Sequence, residues 1–212
     1  RSPSRGLGDV YKRQTMVRRG LRRAFLVADM PFMSYTTPEQ ALDNAVRLMQ
    51  EGGAMMVKLE GGSSQIDIVK HLTRHDIPVC AHIGLKPQSV HKIGGFKVQG
   101  RDSEQAQQMI VDAVALQDAG ADIVLLECVP NEVGKAVAER VDVPVIGIGA
   151  GPNVDGQILV LYDALGITQG RLPRFVHNFM ADSDNGSLQE GCNRFVDAVK
   201  DRSYPAPEHC FS

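Results

Sequence analysis

Five titratable side chains stand at or near the ends of short apolar runs: Asp29, Lys58 with Glu60, His82, and Glu127. The run Met55–Gly62 (MMVKLEGG) shows the pattern best. It reads as a buried strand stopped by a glycine pair. Strand side chains alternate, so Lys58 and Glu60 share a face with Met56, and Val57 and Leu59 take the other. Burying a charge costs several kcal/mol unless it is paired or coordinated. Lys58 and Glu60 must therefore meet each other as a structural ion pair, or meet a metal or a charged ligand. Asp29 and Glu60 offer hard oxygen ligands suited to Mg²⁺. Two carboxylates underfill such a shell. A substrate with adjacent carboxylate and keto oxygens would complete it, with Lys58 holding the substrate carboxylate. Glu127 is then left to act as a base. His82, alone at its strand end, fits either a satisfied structural histidine or a substrate contact; its company of charges favours the second.

Elements that would carry these groups can be read along the chain. Ala24–Asp29 is an apolar strand ending in a carboxylate. Thr37, Pro38 and Gln40 open a helix as N-cap, first helical residue and capping-box partner, and Gly52 and Gly53 end it. A helix from Ser64 to Arg74 leads to the strand Ile77–His82. Residues 84–101 (GLKPQSVHKIGGFKVQGR) show no period and form a long connection of a kind that is usually functional or disordered. Asp102 caps a helix that runs to Gly120, followed by the strand Asp122–Glu127. A helix from Glu132 to Arg140 and the run Val143–Gly151 come next, and Ile158–Leu161 reads as the last strand. Helical pieces are expected over Phe175–Met180 and Leu188–Arg202, the latter with Cys192, Phe195, Val196 and Val199 facing inward. Residues 203–212 read as a loose end or a docking arm.

Strands alternating with amphipathic helices allow a (β/α)8 TIM barrel or an open doubly wound sheet. Titratable groups at the carboxyl ends of four successive strands favour the barrel, which draws its catalytic groups from many strands. The glycines of Gly147-Ile-Gly-Ala-Gly151 lack the third position of a dinucleotide loop, where Pro152 stands. A tight strand-end turn that lets backbone approach a ligand is their expected use.

Composition narrows the function classes. The 212 residues are 43% hydrophobic and 23% charged, enough for one domain with a core. The formal net charge is -2, and the excess of acid argues against nucleic acid as a partner. The arginines Arg18, Arg19, Arg22 and Arg23 could form a phosphate-binding patch, but read better as a solvated lead-in to the first strand. Cys80, Cys128, Cys192 and Cys210 lack metal-type spacing and read as reduced thiols of a cytoplasmic protein. No run reaches the roughly 18 apolar residues of a membrane span. Residues 1–15 are expected to be a foreign or disordered leader, with the catalytic domain over residues 16–212.

Seven stretches together resemble the ketopantoate hydroxymethyltransferase family: LVADMPFM (26–33), VKLEGG (57–62), HIGLKPQ (82–88), GGFKVQG (94–100), LECVP (126–130), PVIGIGAG (144–151) and DGQILV (155–160). The resemblance implies a Mg²⁺-dependent barrel that moves a one-carbon unit from methylenetetrahydrofolate to α-ketoisovalerate (3-methyl-2-oxobutanoate). It implies Asp29 and Glu60 as metal ligands and Asp29 and Lys58 as keto-acid contacts. It places His82 near the new hydroxymethyl group and makes Glu127 the proton acceptor. It further implies a cytoplasmic homodecamer with small-molecule partners, no nucleic acid and no membrane. In the family an earlier strand ends in a Gly-Asp-Ser motif that residues 1–15 do not match, and a (β/α)8 barrel takes about 250 residues. The expectation is therefore an N-terminally truncated member holding about six of eight strands, the first two missing. The alternatives are a catalytically incompetent fragment or scaffold of the same fold, and a related Mg²⁺-dependent keto-acid lyase.

Overall fold

The structure, a computed structural model, describes residues 6–184 and 186–212. Its centre is a curled sheet of six parallel strands arranged in sequence order. In chain order the elements are α1 (Leu7–Gly20), β1 (Val27–Asp29), α2 (Pro38–Val46), β2 (Met56–Glu60), α3 (Ile66–Thr73), β3 (Val79–Gly84), α4 (Val90–Ile93), α5 (Ser103–Asp118), β4 (Ile123–Glu127), α6 (Asn131–Ala138), β5 (Val145–Ile148), β6 (Gly156–Gln157), α7 (Leu161–Ala164) and α8 (Leu188–Lys200). Each strand from β1 to β5 hands the chain to a helical crossover or short loop and pairs with the next in sequence, the βαβ logic of an α/β fold.

Helix starts follow local chemistry. Thr37 Oγ1 accepts from the Gln40 amide at 3.2 Å ahead of α2, and Asp102 Oδ1 accepts from the Gln105 amide at 2.9 Å ahead of α5. These bonds satisfy amides that have no partner within the helix. The side chains of these two glutamines do not return the bond to the N-cap residue: Gln40 Oε1 takes the Thr36 amide, and Gln105 Oε1 takes that of Gly100.

The register separates two layers. One face of the sheet (Ala28, Val57, Leu59, Val79, Ala81, Ile83, Val124, Leu126, Val145) packs under α2, the helical turn Arg47–Glu51 that continues it, α3, α5 and α6 through Ala41, Leu48, Val69, Leu72, Leu116 and Val137, forming the main core. On the other face Met56, Cys80, Leu125 and Ile148 gather with Leu85, Cys128 and Phe175 in a second apolar cluster. Phe179, Tyr204, Phe195, Ala198 and Val199 form a third cluster that joins α8 to the segment after it.

Three expectations are corrected. Residues 7–15, within the stretch expected to be a foreign or disordered leader, belong to α1, which carries little apolar pattern but buries Gln14, whose side-chain amide donates to the Leu48 carbonyl at 2.6 Å. Residues 1–5 lie outside the described residues. The last strand is Gly156–Gln157, not Ile158–Leu161; pairing to Ile146 and Gly147 of β5 sets it, and Leu161 already begins α7. Residues 175–180 form turns rather than a helix, fixed by the Asn178 carboxamide accepting from the Met180 and Ala181 amides. In α8, Phe195 and Val199 turn inward as expected, but Val196 is exposed and Cys192 only half-buried. The connection 84–101 holds the short turn Pro87–Ser89 and α4, and is irregular beyond Gly94. No helix among the described residues is long and apolar enough to cross a membrane.

Candidate active site

All five sequence-nominated groups lie together at the carboxyl ends of β1 to β4. Parallel pairing sets Asp29 beside Lys58, Glu60 beside His82, and Gly84 beside Glu127. Paired residues of adjacent strands point to the same face, so the register alone delivers these side chains to the face opposite the helices. Lys58 is the hub. Its Nζ lies 2.7 Å from Asp29 Oδ1, 3.6 Å from Glu60 Oε1 and 3.2 Å from His82 Nδ1. An ammonium only donates, so Nδ1 of His82 accepts and the ring proton belongs on Nε2. That Nε2 faces Glu127 Oε2 at 3.2 Å, yet it sits off the line needed for a hydrogen bond and makes none among the described residues.

Burial decides the electrostatics. Glu60, His82 and Glu127 are 6%, 2% and 4% exposed, whereas the Asp29 side chain remains half exposed. Burial pushes the Glu60 carboxyl above its ordinary range, and the Lys58 ammonium only partly offsets this. Burial works to lower the pKa of Lys58, but Asp29 and Glu60 together outweigh it and hold the ammonium charged. The neighbouring Cys80 thiol is pushed up to about 12 by burial despite the nearby lysine, which makes it an inert thiol of the apolar cluster.

Two residues that reasoning from single side chains passed over complete the constellation. Gln88, just after β3, donates its backbone amide to Glu60 Oε2 at 3.0 Å and its side-chain amide to the Met30 carbonyl at 2.8 Å. Its Oε1 accepts from the Tyr35 hydroxyl at 2.6 Å. Gln88 thus fixes the orientation of the Glu60 carboxylate and ties the long connection to the strand ends. The signal was present, since Gln88 closes the HIGLKPQ stretch, but an isolated loop glutamine has no periodicity to reveal it.

A chain-wide comparison decides the family. The model of the ketopantoate hydroxymethyltransferase family matches residues 6–207. The chain belongs to this family. The 3-methyl-2-oxobutanoate hydroxymethyltransferase 2 of Hahella chejuensis is 54% identical over 206 residues, which cover 97% of this chain and 77% of the relative. The 3-methyl-2-oxobutanoate hydroxymethyltransferase of Alkalilimnicola ehrlichii is 56% identical over 188 residues, 89% of this chain and 67% of the relative. That of Shewanella amazonensis is 52% identical over 204 residues, with 96% and 76% covered. Among solved structures, a protein of Burkholderia cenocepacia J2315 described as a candidate lyase/mutase superposes with a TM-score of 0.52 at 18% identity, covering 97% of this chain and 78% of that one. It shares the fold.

The donor set at the mouth suits a divalent cation of the Mg²⁺ kind in one respect. Asp29 and Glu60 both direct an oxygen toward the Lys58 ammonium, and Asp29 stays open to solvent, so two hard oxygens converge beside an accessible position. No group of three His, Cys, Asp or Glu side chains converges as a cage among the described residues. A cation bound here would keep the rest of its shell as water or substrate oxygen, which Mg²⁺ tolerates well.

The glycines of 147–151 serve packing within the chain. A Cβ on Gly149 would lie 2.4 Å from Phe175 Cδ1, and one on Gly151 would lie 2.4 Å from Asn131 Oδ1. The close approach expected for a ligand is made instead by side chains of this protein.

Proposed function

We propose that this chain carries the chemistry for which its relatives are named: transfer of a hydroxymethyl group to 3-methyl-2-oxobutanoate, giving ketopantoate, with methylenetetrahydrofolate as one-carbon donor. We read the six-stranded arc as part of a (β/α)8 barrel whose mouth is this site. The observation that carries the reading is the division of labour around His82: a metal-competent carboxylate pair and an ammonium on one side, and a buried carboxylate, Glu127, on the other.

Lys58 holds the carboxylate of the keto acid as a point charge. Asp29 and Glu60 would hold Mg²⁺, with Gln88 orienting Glu60. When bound there, the cation supplies positive charge beside the keto oxygen, which eases loss of the C3 proton. Glu127 takes that proton, the C–H electron pair becoming the enolate π bond. Its burial keeps water from competing. One water supplies the oxygen: it adds to the one-carbon unit as the two C–N bonds to the carrier break, their electron pairs and two protons going to the nitrogens, so that the carrier leaves as tetrahydrofolate and the unit is left at the formaldehyde level. The enolate C3 then bonds to that carbon, the C=O π pair moves to the oxygen, and the oxygen takes a proton to become the hydroxyl. The Nε2–H of His82, without a hydrogen bond among the described residues, is placed to donate to this oxygen.

Deuterium exchange at C3 in D2O with Mg²⁺ and no folate isolates the first step. Glu127→Gln keeps shape and hydrogen bonding but removes the basic oxygen, and exchange should slow by roughly 10²- to 10⁴-fold while keto-acid binding persists. Wild-type exchange in this variant would remove Glu127 from the base role and leave His82 as the next candidate. The lyase alternative predicts folate-independent cleavage of ketopantoate, and the same samples report it.

A further inference from the structure

The concave face of the sheet is chemically divided. Charged groups occupy β1 to β3, whereas Leu125 and Ile148 continue the same face on β4 and β5. Glu127 sits on the boundary, paired in register with Ile148. The segment 204–211 closes the apolar half. The Tyr204 hydroxyl donates to the Phe175 carbonyl, Arg174 Nη1 donates to the Cys210 carbonyl at 3.3 Å, and the Asn131 amide donates to the Phe211 carbonyl at 3.0 Å. Asn131 opens α6, directly after the strand that delivers Glu127. The Phe211 ring meets Phe175 edge-on, with centroids 6.3 Å apart, and packs on the cluster containing Leu125, Cys128 and Ile148.

We infer that segment 204–211 forms the outer wall of the subsite for the substrate's aliphatic branch, and that Phe211 sets the size limit of that branch. The inference rests on the reading of the site as a 2-oxo acid enolisation centre. With the acid head drawn to Lys58 and C3 at Glu127, the remaining substituents of C3 point away from the charges, against the packed apolar cluster of Leu125, Ile148 and the two phenylalanines. An edge-on pair of aromatic rings held by three backbone carbonyl contacts is a stiff wall, suited to rejecting an extra methylene. In a hydrophobic pocket one methylene discriminates by about 10- to 200-fold.

The test measures binding by calorimetry, with Mg²⁺, of 3-methyl-2-oxobutanoate and of 3-methyl-2-oxopentanoate, which differ by one methylene on C3. C3 deuterium exchange is read on the same samples. The wild-type chain should favour the smaller acid by about 10-fold or more in both readouts. Phe211→Ala should bring the two acids to within about 3-fold by improving the larger one, and Phe211→Leu should fall between. Thermal melting of each variant verifies folding, and Phe211→Leu decides the matter should Phe211→Ala not fold. A wild-type preference retained in the folded variants overturns the inference and leaves the functional reading intact. Equal binding of both acids by wild type also overturns it. Binding of neither acid removes the functional reading itself, and the inference with it.

Discussion

Gly149→Ala tests the packing that supports the apolar half of the mouth, and its cost can be worked from geometry. Gly149 has φ +66°, where an L side chain is strained, and its Cβ would meet Phe175 Cδ1 at 2.4 Å, Cγ at 2.9 Å and Cε1 at 3.0 Å. The backbone term is about 1–2 kcal/mol. The ring cannot yield freely, because Phe175 is 2% exposed and its carbonyl is held by Tyr204. Overpacking at such a site adds about 1–3 kcal/mol. The sum, about 2–5 kcal/mol, lowers Tm by roughly 4–20 °C for a domain of this size. Circular dichroism melting is the assay, and Phe175→Leu separates the two terms. With Gly149→Ala already in place, the smaller side chain at position 175 should relieve the clash and leave the backbone term, so the two substitutions should couple by about 1–3 kcal/mol. A Tm unchanged by Gly149→Ala, or a double variant additive within about 0.5 kcal/mol, would refute the reasoning.

The remaining predictions concern the mouth and the thiols. Asp29→Ala and Glu60→Ala should each abolish Mg²⁺-dependent binding of 3-methyl-2-oxobutanoate, and unchanged calorimetric binding in both would sink the assignment of these carboxylates to the metal. In the native protein at pH 8, iodoacetamide should label half-buried Cys192 first and Cys80 only after unfolding, because the Cys80 thiol is buried with its pKa pushed up to about 12. Peptide mass mapping reads the order, and early labelling of Cys80 would contradict its burial. The irregular stretch 94–100 should act as a cover over bound keto acid, so its amides should exchange more slowly once acid and Mg²⁺ are added; equal exchange with and without ligand rejects the cover.

The strands and their chemistry were legible because alternation is a local rule. Lys58 and Glu60 on one face, with Val57 and Leu59 on the other, follow from the period of two, and register then assembled all five groups. What stayed hidden depends on distant contacts. Helix α1 has only a weak apolar stripe; Gln14 reaching Leu48 is a long-range polar bond that leaves no period behind. Ile158–Leu161 has strand composition, yet pairing with β5 selects Gly156 and Gln157 instead. Val196 completes an apolar stripe on paper but faces solvent, since the third cluster reaches only Phe195, Ala198 and Val199. Gln88 and Phe211 matter through partners that only the tertiary fold reveals.

The sequential strand order also bears on how the molecule is assembled in time. Every sheet pairing joins neighbours along the chain, so each can close soon after its second strand leaves the ribosome, and Lys58 meets His82 across a separation of 24 residues. The segment carrying Phe211 must instead fold back over 36 residues from Cys210 to Arg174, and farther still to Asn131. Closing longer loops delays such contacts relative to local ones. During synthesis the charged half of the mouth therefore matures first, and a nascent chain passes through a stage at which its charges are in place while the hydrophobic flank still faces water.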